Sequence, residues 1–409
     1  MADHWLTRSG KEVSSIRMEQ DPVPAASSGD TTAHSTRRRP RILMVAANAY
    51  PAMGGVETHL HEVTPRIARA GFDVTILTTD RTGELPVRQE VNGVQIRRVR
   101  AWPAKRDYYF APDIYRTITG GEWDLIHMHG YHTFVAPLAM LGALRAGFPY
   151  VLTFHSGGHR SRVRTRFRRT QYTVLRPLLA RAGRLIAVSD FEAVLFPRAL
   201  RLSTSRFVTI PNGASMELPK DHPAPVEDPW LILSVGRLER YKGHHRVIAA
   251  LPHVIEQLPA VRLRIVGAGP YEDELRRLAV RCGVADRVQI GRVDPEDRTG
   301  MAMLLGSAGL VTLLSEYEAN PVAVMEALAL RRRVLVADGS GMSELARRGF
   351  ARAIPLDSDP GQTARAIVEH LRSPGPGDFD LPTWDASASS LVGVYRDVLD
   401  KNTVTPGIP

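Results

Sequence analysis

Short apolar runs alternate with longer helical patterns along almost the whole chain. A short apolar run is typical of a buried strand, and strands that alternate with helices form βαβ units with parallel sheets. The pattern therefore predicts an α/β protein built from two doubly wound halves. We expect strands at residues 42–46, 74–77, 94–96, 125–128, 150–154, 185–188 and 207–210, and in the second half at residues 231–235, 263–266, 288–290, 310–314, 334–336 and 353–354.

Length and composition fit a soluble enzyme of two domains. A chain of 409 residues exceeds what one hydrophobic core usually serves, and 44% hydrophobic with 23% charged residues is an ordinary globular composition. The lone cysteine, Cys282, excludes an internal disulfide and favours the reducing cytoplasm. The net charge of +10 favours anionic partners. The apolar stretch at residues 134–144 contains Pro137 and is too short to cross a membrane.

Two segments lack the patterns of folded elements. Residues 1–40 mix Ser, Thr, Asp, Pro and Arg and lack the apolar core of a secretory signal, so we expect a disordered tail. Residues 216–229 contain four prolines and no apolar periodicity. This composition is typical of a linker, and we expect the hinge between the two halves there.

The most informative stretch contains two glutamates, Glu318 and Glu326, with seven residues between them. Asn320 is a good N-cap and Pro321 suits the first helical position, so we expect a helix at residues 321–330. Glu318 then lies in the loop before the helix. Glu326 lies in the second turn, where a helical side chain leans back towards the N-terminus.

This loop is expected at the carboxyl end of the buried strand at residues 310–314, and open α/β sheets bind their ligands at that edge. Unpaired N–H groups and the dipole at a helix start favour an anion such as phosphate. Carboxylates beside it accept hydrogen bonds from hydroxyl groups. A ligand that combines an anion with a polyol is a nucleotide sugar, and these residues therefore suggest a site for one. The alternative is that both glutamates are ordinary solvated acids.

Cations and glycines follow other strands of the second half. Arg237 comes directly after the strand at residues 231–235, and Lys242 comes at an expected helix start, so both side chains are expected to face the same crevice. The alternative is a pair of surface cations. Gly267 and Gly269 follow the next strand. They are expected to support binding of the nucleotide sugar by letting the backbone approach a phosphate, although such glycines often mark only a tight turn.

The first half offers glycines and histidines at comparable places. Gly54 and Gly55 lie between the first strand and the first helix, either as a flexible loop near the ligand or as plain turn residues. His127 and His129 point to one face of their strand, and His155 closes the next strand. We therefore expect His129 and His155 to overlook the cleft.

These histidines raise the question of a zinc site, since His132 and His159 are close to them in sequence. Zinc needs three or four fixed ligands, and the chain lacks a motif such as His-Glu-x-x-His, so we expect neither a metal nor another cofactor. A diphosphate-binding Asp-x-Asp is also missing from the expected strand ends, because Asp378 and Asp380 lie in a Pro/Gly-rich segment. The arginine and lysine described above would then replace Mg²⁺.

The stretch from Ser315 to Leu328 resembles the Glu-x7-Glu motif of retaining glycosyltransferases of family 4. That family has the GT-B fold, in which two Rossmann-like domains face each other across a cleft. The similarity extends from about Arg41 to the last helical pattern near Asp400. The resemblance thus implies a fold and an activity for nearly the whole chain.

The resemblance also implies roles for individual residues of the motif. Glu318 is expected to contact hydroxyl groups of the donor sugar, and Glu326 is expected to bind the ribose. The backbone at Asn320 and Pro321 is expected to hold the sugar and the diphosphate. His155 corresponds to a histidine that lies against the donor sugar.

Two further pairs of residues match the family. Arg237 and Lys242 resemble the pair that holds the donor diphosphate. Gly54 and Gly55 resemble the loop that covers the donor phosphates or admits the acceptor. Two departures concern substrate choice: Leu330 to Arg333 replace the usual small residue and glycine beside the ribose, and Asn320 stands where an aromatic residue is common.

The expected domain organisation combines the pattern with the resemblance. After the tail at residues 1–40, we expect an acceptor domain at residues 41–220 and a nucleotide-sugar donor domain at residues 221–385. A final helix at residues 386–400 is expected to pack back on the acceptor domain, as the terminal helix does in the family.

The expected function is transfer of a sugar from a nucleoside diphosphate to a hydroxyl of a glycan, a lipid-linked or a small-molecule acceptor, as in polysaccharide biosynthesis. The family's usual mechanism is metal-independent front-face displacement with retention of configuration, which needs no protein nucleophile. A nucleotide-sugar epimerase of the same fold is one alternative. A basic nucleic-acid-binding protein is another, but the chain lacks a recognition helix motif, so no nucleic-acid partner is expected.

A run of arginines from Arg160 to Arg169 precedes the apolar residues Tyr172, Val174 and Leu175. Such a basic amphipathic stretch is typical of a helix that rests on anionic lipid, and equally of a solvated basic helix face. We therefore expect a cytoplasmic protein, with peripheral contact to the inner face of the membrane as an option.

Overall fold

The computed structural model of the protein describes residues 38–52, 54–103, 109–156, 162–216, 218, 223–294 and 297–403, with only the backbone of residues 162–167, 169 and 403. Nearly all of the tail expected at residues 1–40 lies outside these ranges. Arg160 and most side chains of the arginine run lie outside them as well. Both sheets belong to one compact unit, residues 39–409.

The elements of the first half, in chain order, are Arg41–Ala46 (β1), Gly55–Arg69 (α1), Asp73–Asp80 (β2), Arg88–Val91 (β3), Val94–Arg100 (β4), Asp113–Thr119 (α2), Leu125–His129 (β5), Val135–Ala146 (α3), Tyr150–Thr153 (β6), Arg162–Leu179 (α4), Arg184–Ala187 (β7), Asp190–Leu200 (α5) and Phe207–Thr209 (β8). The strands form one eight-stranded sheet with the order β3-β4-β2-β1-β5-β6-β7-β8. All neighbouring strands are parallel except β3 and β4.

The elements of the second half are Asp228–Val235 (β9), His244–Gln257 (α6), Arg262–Val266 (β10), Glu272–Arg281 (α7), Val288–Gly291 (β11), Arg298–Ser307 (α8), Ala308–Leu313 (β12), Val322–Ala329 (α9), Val334–Asp338 (β13), Met342–Arg347 (α10), Arg352–Pro355 (β14) and Pro360–Arg372 (α11). The strands form a six-stranded, fully parallel sheet with the order β11-β10-β9-β12-β13-β14. The last helix of the described chain is Trp384–Thr403 (α12). The predicted α/β class with two doubly wound halves is confirmed.

Central strands are apolar on both faces because helices cover both faces of each sheet. In β1, Leu43 and Val45 belong to one hydrophobic cluster, whereas Ile42 and Met44 belong to the cluster on the opposite face. This two-residue alternation explains why buried strands appear in the sequence as continuous apolar runs.

The strand β3 (Arg88–Val91) is absent from the sequence prediction. It lies at the edge of the first sheet and pairs antiparallel with β4, and its side chains alternate between exposed and partly buried positions. An edge strand with one solvated face needs few apolar residues, so the apolar run that signals the other strands is missing.

Each sheet has its reversal of strand order beside its first strand. β1 lies between β2 and β5, and β9 lies between β10 and β12. At such a point the loops that leave neighbouring strands diverge and open a crevice at the carboxyl edge. The loops after β1, β9 and β12 contain several of the candidate residues that the sequence predicts.

Helix α12 packs against α1 and contributes to a hydrophobic cluster of the first sheet through Trp384 and Tyr395. The Tyr395 hydroxyl lies 2.6 Å from His127 Nδ1, and both residues are fully buried. Arg66 and Asp385 form an ion pair at 2.9 Å on the surface of the same contact. Among the described residues, no helix combines the length and apolarity that crossing a membrane requires.

Buried contacts, rather than the surface ion pair, are expected to hold α12. Tyr395→Phe leaves a ring nitrogen of His127 without its buried partner and should lower the free energy of unfolding by about 1–3 kcal/mol. Asp385→Ala removes an exposed ion pair worth at most about 1 kcal/mol. Urea unfolding of both variants measures the difference, and a larger loss for Asp385→Ala would contradict this view of the contact.

Candidate active site

Lys242 and Glu318 form the centre of the candidate site. Lys242 ends the short 3-10 turn that follows β9, and Glu318 lies in the loop between β12 and α9. Lys242 Nζ lies 2.5 Å from Glu318 Oε1, and only 16% and 15% of the two side chains are exposed. The structure thus brings these two candidate residues into direct contact, in surroundings where solvent screens charge only weakly.

Arg237 joins this centre through a pair of aromatic rings. Its guanidinium donates to the Tyr241 hydroxyl at 2.8 Å, and Tyr241 stacks on Tyr317 with ring centroids 4.7 Å apart. Tyr317 precedes Glu318 in the chain. Arg237 also pairs with Glu239 at 2.9 Å, yet 63% of its side chain remains exposed, so it keeps hydrogen-bond donors for a ligand.

Glu57 of α1 faces Arg237 from the other half of the molecule. Burial raises the pKa of Glu57, and the positive charge of Arg237 opposes this shift. Gly54 lies beside the same carboxylate, since a Cβ there would be 2.5 Å from Glu57 Oε2, whereas no described atom lies within 4 Å of a Cβ at Gly55. The loop after β1 therefore approaches the cations of the second half.

Asn320 does not cap the helix, contrary to the prediction. The N-cap position is Pro321, with extended backbone, and α9 begins at Val322, one residue later than expected. The Asn320 amide instead donates to the Val188 carbonyl at 3.2 Å, and the Asn320 carbonyl accepts from the Asn212 amide at 3.1 Å. The side chain is used to join the two halves, which explains the failed prediction.

Glu326 is buried on α9 and holds a cation of its own. Its Oε1 lies 2.7 Å from Arg298 Nη2, at the start of α8. Burial raises the pKa of Glu326, and Arg298 opposes this shift by its charge and its hydrogen bond. The two glutamates of the motif thus face different partners, Lys242 for Glu318 and Arg298 for Glu326.

Gly267 and Gly269 let two strand-end loops touch. A Cβ at Gly267 would lie 1.9 Å from the Gly236 carbonyl oxygen, and one at Gly269 would lie 2.5 Å from the Leu238 carbonyl oxygen. These close approaches support the backbone on both sides of Arg237. The described contacts therefore give both glycines a packing role next to the cations.

His155 and His129 lie together at the carboxyl edge of the first sheet. His155 has a left-handed backbone with φ of 53°, and its Nε2 lies 3.1 Å from His129 Nδ1. His155 is partly exposed, whereas His129 is buried, so only His155 fits the expectation that both overlook a cleft. His127 is also buried, between Tyr395 and Thr153.

A buried carboxylate that the sequence analysis missed supports the segment of His155. Glu192 is fully buried and accepts hydrogen bonds from the backbone N–H groups of Ser156 and Val188, the latter at 2.8 Å. Ser156 directly follows His155. Burial raises the pKa of Glu192 to about 8, and the negative charge of Glu344 adds to the shift.

The sequence carries a signal for Glu192, but it indicates another role. Ser189 caps α5 through a hydrogen bond from the Glu192 N–H at 3.3 Å, so the two residues have the spacing of a capping box. In a capping box the glutamate would bind the Ser189 N–H. Here its carboxylate instead binds the N–H group of Val188, which directly precedes Ser189, and the N–H group of Ser156, a tertiary contact that spacing does not indicate.

The GT-B class is built from two doubly wound sheets, and this chain has that architecture. Residues 53–218 match the family model described as Glycosyltransferase Family 4, and residues 217–378 match the one described as Glycosyl transferases group 1. The chain belongs to the family 4 type of glycosyltransferases. The resemblance of its glutamate motif to that family is confirmed.

Curated relatives and solved structures agree with this assignment. The chain is 27% identical to D-inositol 3-phosphate glycosyltransferase 2 of Catenulispora acidiphila, over 84% of this chain and 90% of that protein. It is 29% identical to phosphatidyl-myo-inositol mannosyltransferase of Mycolicibacterium smegmatis, over 80% and 84%. Sucrose-phosphate synthase of Thermosynechococcus elongatus has a similar fold, with a TM-score of 0.69, 20% identity and coverage of 89% of this chain and 100% of that chain.

Anabaena HepE in complex with UDP and glucose also has this fold. The TM-score is 0.67 at 19% identity, over 90% of this chain and 100% of that chain. At such identities the likeness concerns the fold.

The packing role of Gly267 gives a stability prediction with a control in the neighbouring strand. Gly267→Ala forces a methyl group against the Gly236 carbonyl and should lower the free energy of unfolding by about 1–3 kcal/mol. Gly291→Ala meets no described atom within 4 Å and should stay within about 0.5 kcal/mol of wild type. Equal losses in urea unfolding would rule out close approach as the reason for glycine at position 267.

The raised pKa of Glu192 predicts a pH dependence of stability. A carboxyl group whose pKa is higher in the folded than in the unfolded chain binds more protons when folded, so its contribution falls as pH rises from about 4.5 to about 8. Glu192→Gln removes this titration. The stability of wild type relative to the variant should therefore decline from pH 5 to pH 8, and parallel curves in urea unfolding would refute the assignment.

Proposed function

We propose that this glycosyltransferase transfers a sugar from a nucleoside diphosphate sugar to an acceptor hydroxyl with retention of configuration, without a metal ion. The contact between Lys242 and Glu318, with Arg237 beside it, carries the proposal. It puts cations for a diphosphate and a carboxylate for sugar hydroxyls next to each other. A diphosphate sugar presents both phosphate oxygens and hydroxyl groups, so its binding site needs both kinds of group.

The cations act on the leaving group. In the reaction the bond from the anomeric carbon to the diphosphate oxygen breaks, and its electron pair stays on the diphosphate. Lys242 and Arg237 bind that growing negative charge, and the start of α9 contributes its dipole. The acceptor oxygen bonds to the anomeric carbon on the same face, and its proton passes to a donor phosphate oxygen.

Other residues bind the rest of the donor. Glu318 accepts hydrogen bonds from sugar hydroxyls, and Glu326, oriented by Arg298, accepts from the ribose. The backbone at Asn320 and Pro321 holds the sugar and the diphosphate. His155, whose segment is supported by Glu192, contacts the donor sugar.

The division of labour between the halves follows from these roles. We infer that residues 221–385 form the donor domain and residues 41–220 the acceptor domain, completed by the final helix, and that Gly54 and Gly55 cover the donor phosphates. Gly267 and Gly269 assist donor binding by supporting the backbone around Arg237.

The names of two relatives bear on the class of acceptor. Relatives are named for inositol 3-phosphate and phosphatidyl-myo-inositol, which supports a polyol acceptor, free or attached to a lipid. The basic stretch at the start of α4 (Arg162–Leu179) is consistent with a cytoplasmic enzyme that touches anionic lipid at the inner face of the membrane. Polysaccharide biosynthesis is one process that uses such an enzyme.

Product analysis tests the reaction. Thermal shifts against a panel of nucleoside diphosphate sugars select the donor, and inositol-containing acceptors are then assayed with EDTA present. The NMR coupling at the anomeric carbon of the product should match the donor configuration. Inversion, or a requirement for added Mg²⁺, would refute the mechanism, and release of a free epimerised sugar without acceptor would indicate an epimerase.

Lys242→Ala should lower kcat by about 10²- to 10³-fold, the usual cost of losing one group that stabilises developing negative charge. Arg281→Ala is the control, because it removes an exposed cation from the last turn of α7. It should leave kcat unchanged. If Lys242→Ala and Glu326→Ala both keep donor affinity and turnover near wild type, the assignment of the site is wrong.

A further inference from the structure

Three histidines from three elements meet beside the candidate site. His59 comes from α1, His129 ends β5, and His155 follows β6. Each offers a ring nitrogen, and these nitrogens lie within 4.8 Å of one another. The ring centroids of His59 and His155 are 4.8 Å apart, so the cluster is tightly packed. The sequence analysis missed His59, which is far from the other two along the chain.

The tautomer of His59 is set by Asn212. The Asn212 amide nitrogen donates to the Asn320 carbonyl, which turns its Oδ1 towards His59 Nδ1 at 2.9 Å. Nδ1 must then carry the hydrogen, and Nε2 presents a lone pair. His59 Nε2 is buried and has no hydrogen-bond partner among the described residues. A histidine that donates its other N–H to an oxygen is the usual arrangement of a metal ligand.

His129 is in a similar position. His129 Nδ1 and His155 Nε2 form a hydrogen bond at 3.1 Å. His129 Nε2 is buried and has no hydrogen-bond partner in the described part of the chain. A buried polar atom without a partner destabilises the fold. A metal ion bound by His59 Nε2 and His129 Nε2 would satisfy both of these nitrogens.

Burial also favours the neutral form of the three imidazole rings. It lowers the pKa of His59 to about 4, and burial together with the neighbouring histidines lowers the pKa of His129 and His155 well below its usual range. A neutral imidazole is the form that donates a lone pair to a metal.

We propose that His59, His129 and His155 form a binding site for a divalent transition metal such as Zn²⁺. Neighbouring ligand nitrogens around a tetrahedral Zn²⁺ lie about 3.4 Å apart for a Zn–N bond of about 2.1 Å. Binding therefore requires the rings to rotate from their present spacing of up to 4.8 Å. The metal takes the place of the hydrogen bond between His129 and His155, which frees His155 Nε2 as a ligand. The fourth position is left to water.

The site has a consequence for the proposed reaction. His155 is the histidine assigned to the donor sugar, so a bound metal would occupy its ring nitrogen and compete with the donor. Zn²⁺ is then an inhibitor of a metal-independent enzyme. This consequence rests on the proposed function, whereas metal binding itself does not.

Metal binding is measured with Zn²⁺ in competition with a chromophoric chelator, and with Co²⁺ by its visible absorption. Wild type should bind one equivalent, and Co²⁺ should give the intense bands of a tetrahedral site. Asn212→Ala, which removes the oxygen that orients His59, should weaken Zn²⁺ binding about 10- to 100-fold. His59→Gln should weaken it at least as much. His253→Gln, at an exposed position of α6, should leave it unchanged.

Circular dichroism shows whether each variant is folded, and the Co²⁺ spectrum of wild type tests the site even if His59→Gln does not fold. The proposal is overturned if wild type retains no Zn²⁺ against the chelator, if its Co²⁺ spectrum is that of an octahedral ion, or if Asn212→Ala and His253→Gln bind alike. Zn²⁺ binding without any donor binding would refute the proposed function and leave the metal site standing.

Discussion

Asn320 makes one of the links between the two halves of the molecule, next to the candidate site. Its amide binds the Val188 carbonyl, and its own carbonyl accepts from Asn212, so the loop that carries Glu318 is attached to the first half. Each such hydrogen bond contributes about 0.5–1.5 kcal/mol. Contacts of this size fix how the halves meet without locking them, which suits a cleft that must admit and release substrates.

The cations of the site are held by carboxylates before any ligand arrives. Lys242 is bound to Glu318, and Arg298 is bound to Glu326. An ammonium group has three donors, and Glu318 takes one of them, so in the proposed reaction Lys242 offers the others to phosphate oxygens. Because its side chain is already ordered, binding the proposed diphosphate would cost less conformational entropy, and the charge would be in position when the leaving group departs.

The sequence predicted the elements better than the contacts. Buried strands such as β1 can be recognised in the sequence because they are apolar on both faces. The paired charges lie at strand ends, where the topology of an α/β sheet predicts ligands. Asn320 and Glu192 fit local capping patterns, yet both side chains bind groups distant in the chain. Spacing along a chain reports neighbours within one helix, whereas these partners are set by how separate elements pack.

The distribution of charge explains why neutral histidines and permanent cations occupy different parts of this region. In the proposed reaction, positive charge develops at the anomeric carbon while negative charge develops on the diphosphate. An imidazolium close to the sugar would oppose the first change. Burial lowers the pKa of His155 well below its usual range and keeps it neutral, so it can hydrogen-bond to the sugar without that cost. Arg237 and Lys242 carry the charge that the leaving group needs, and the same neutrality that suits His155 to a sugar leaves its ring open to a metal ion.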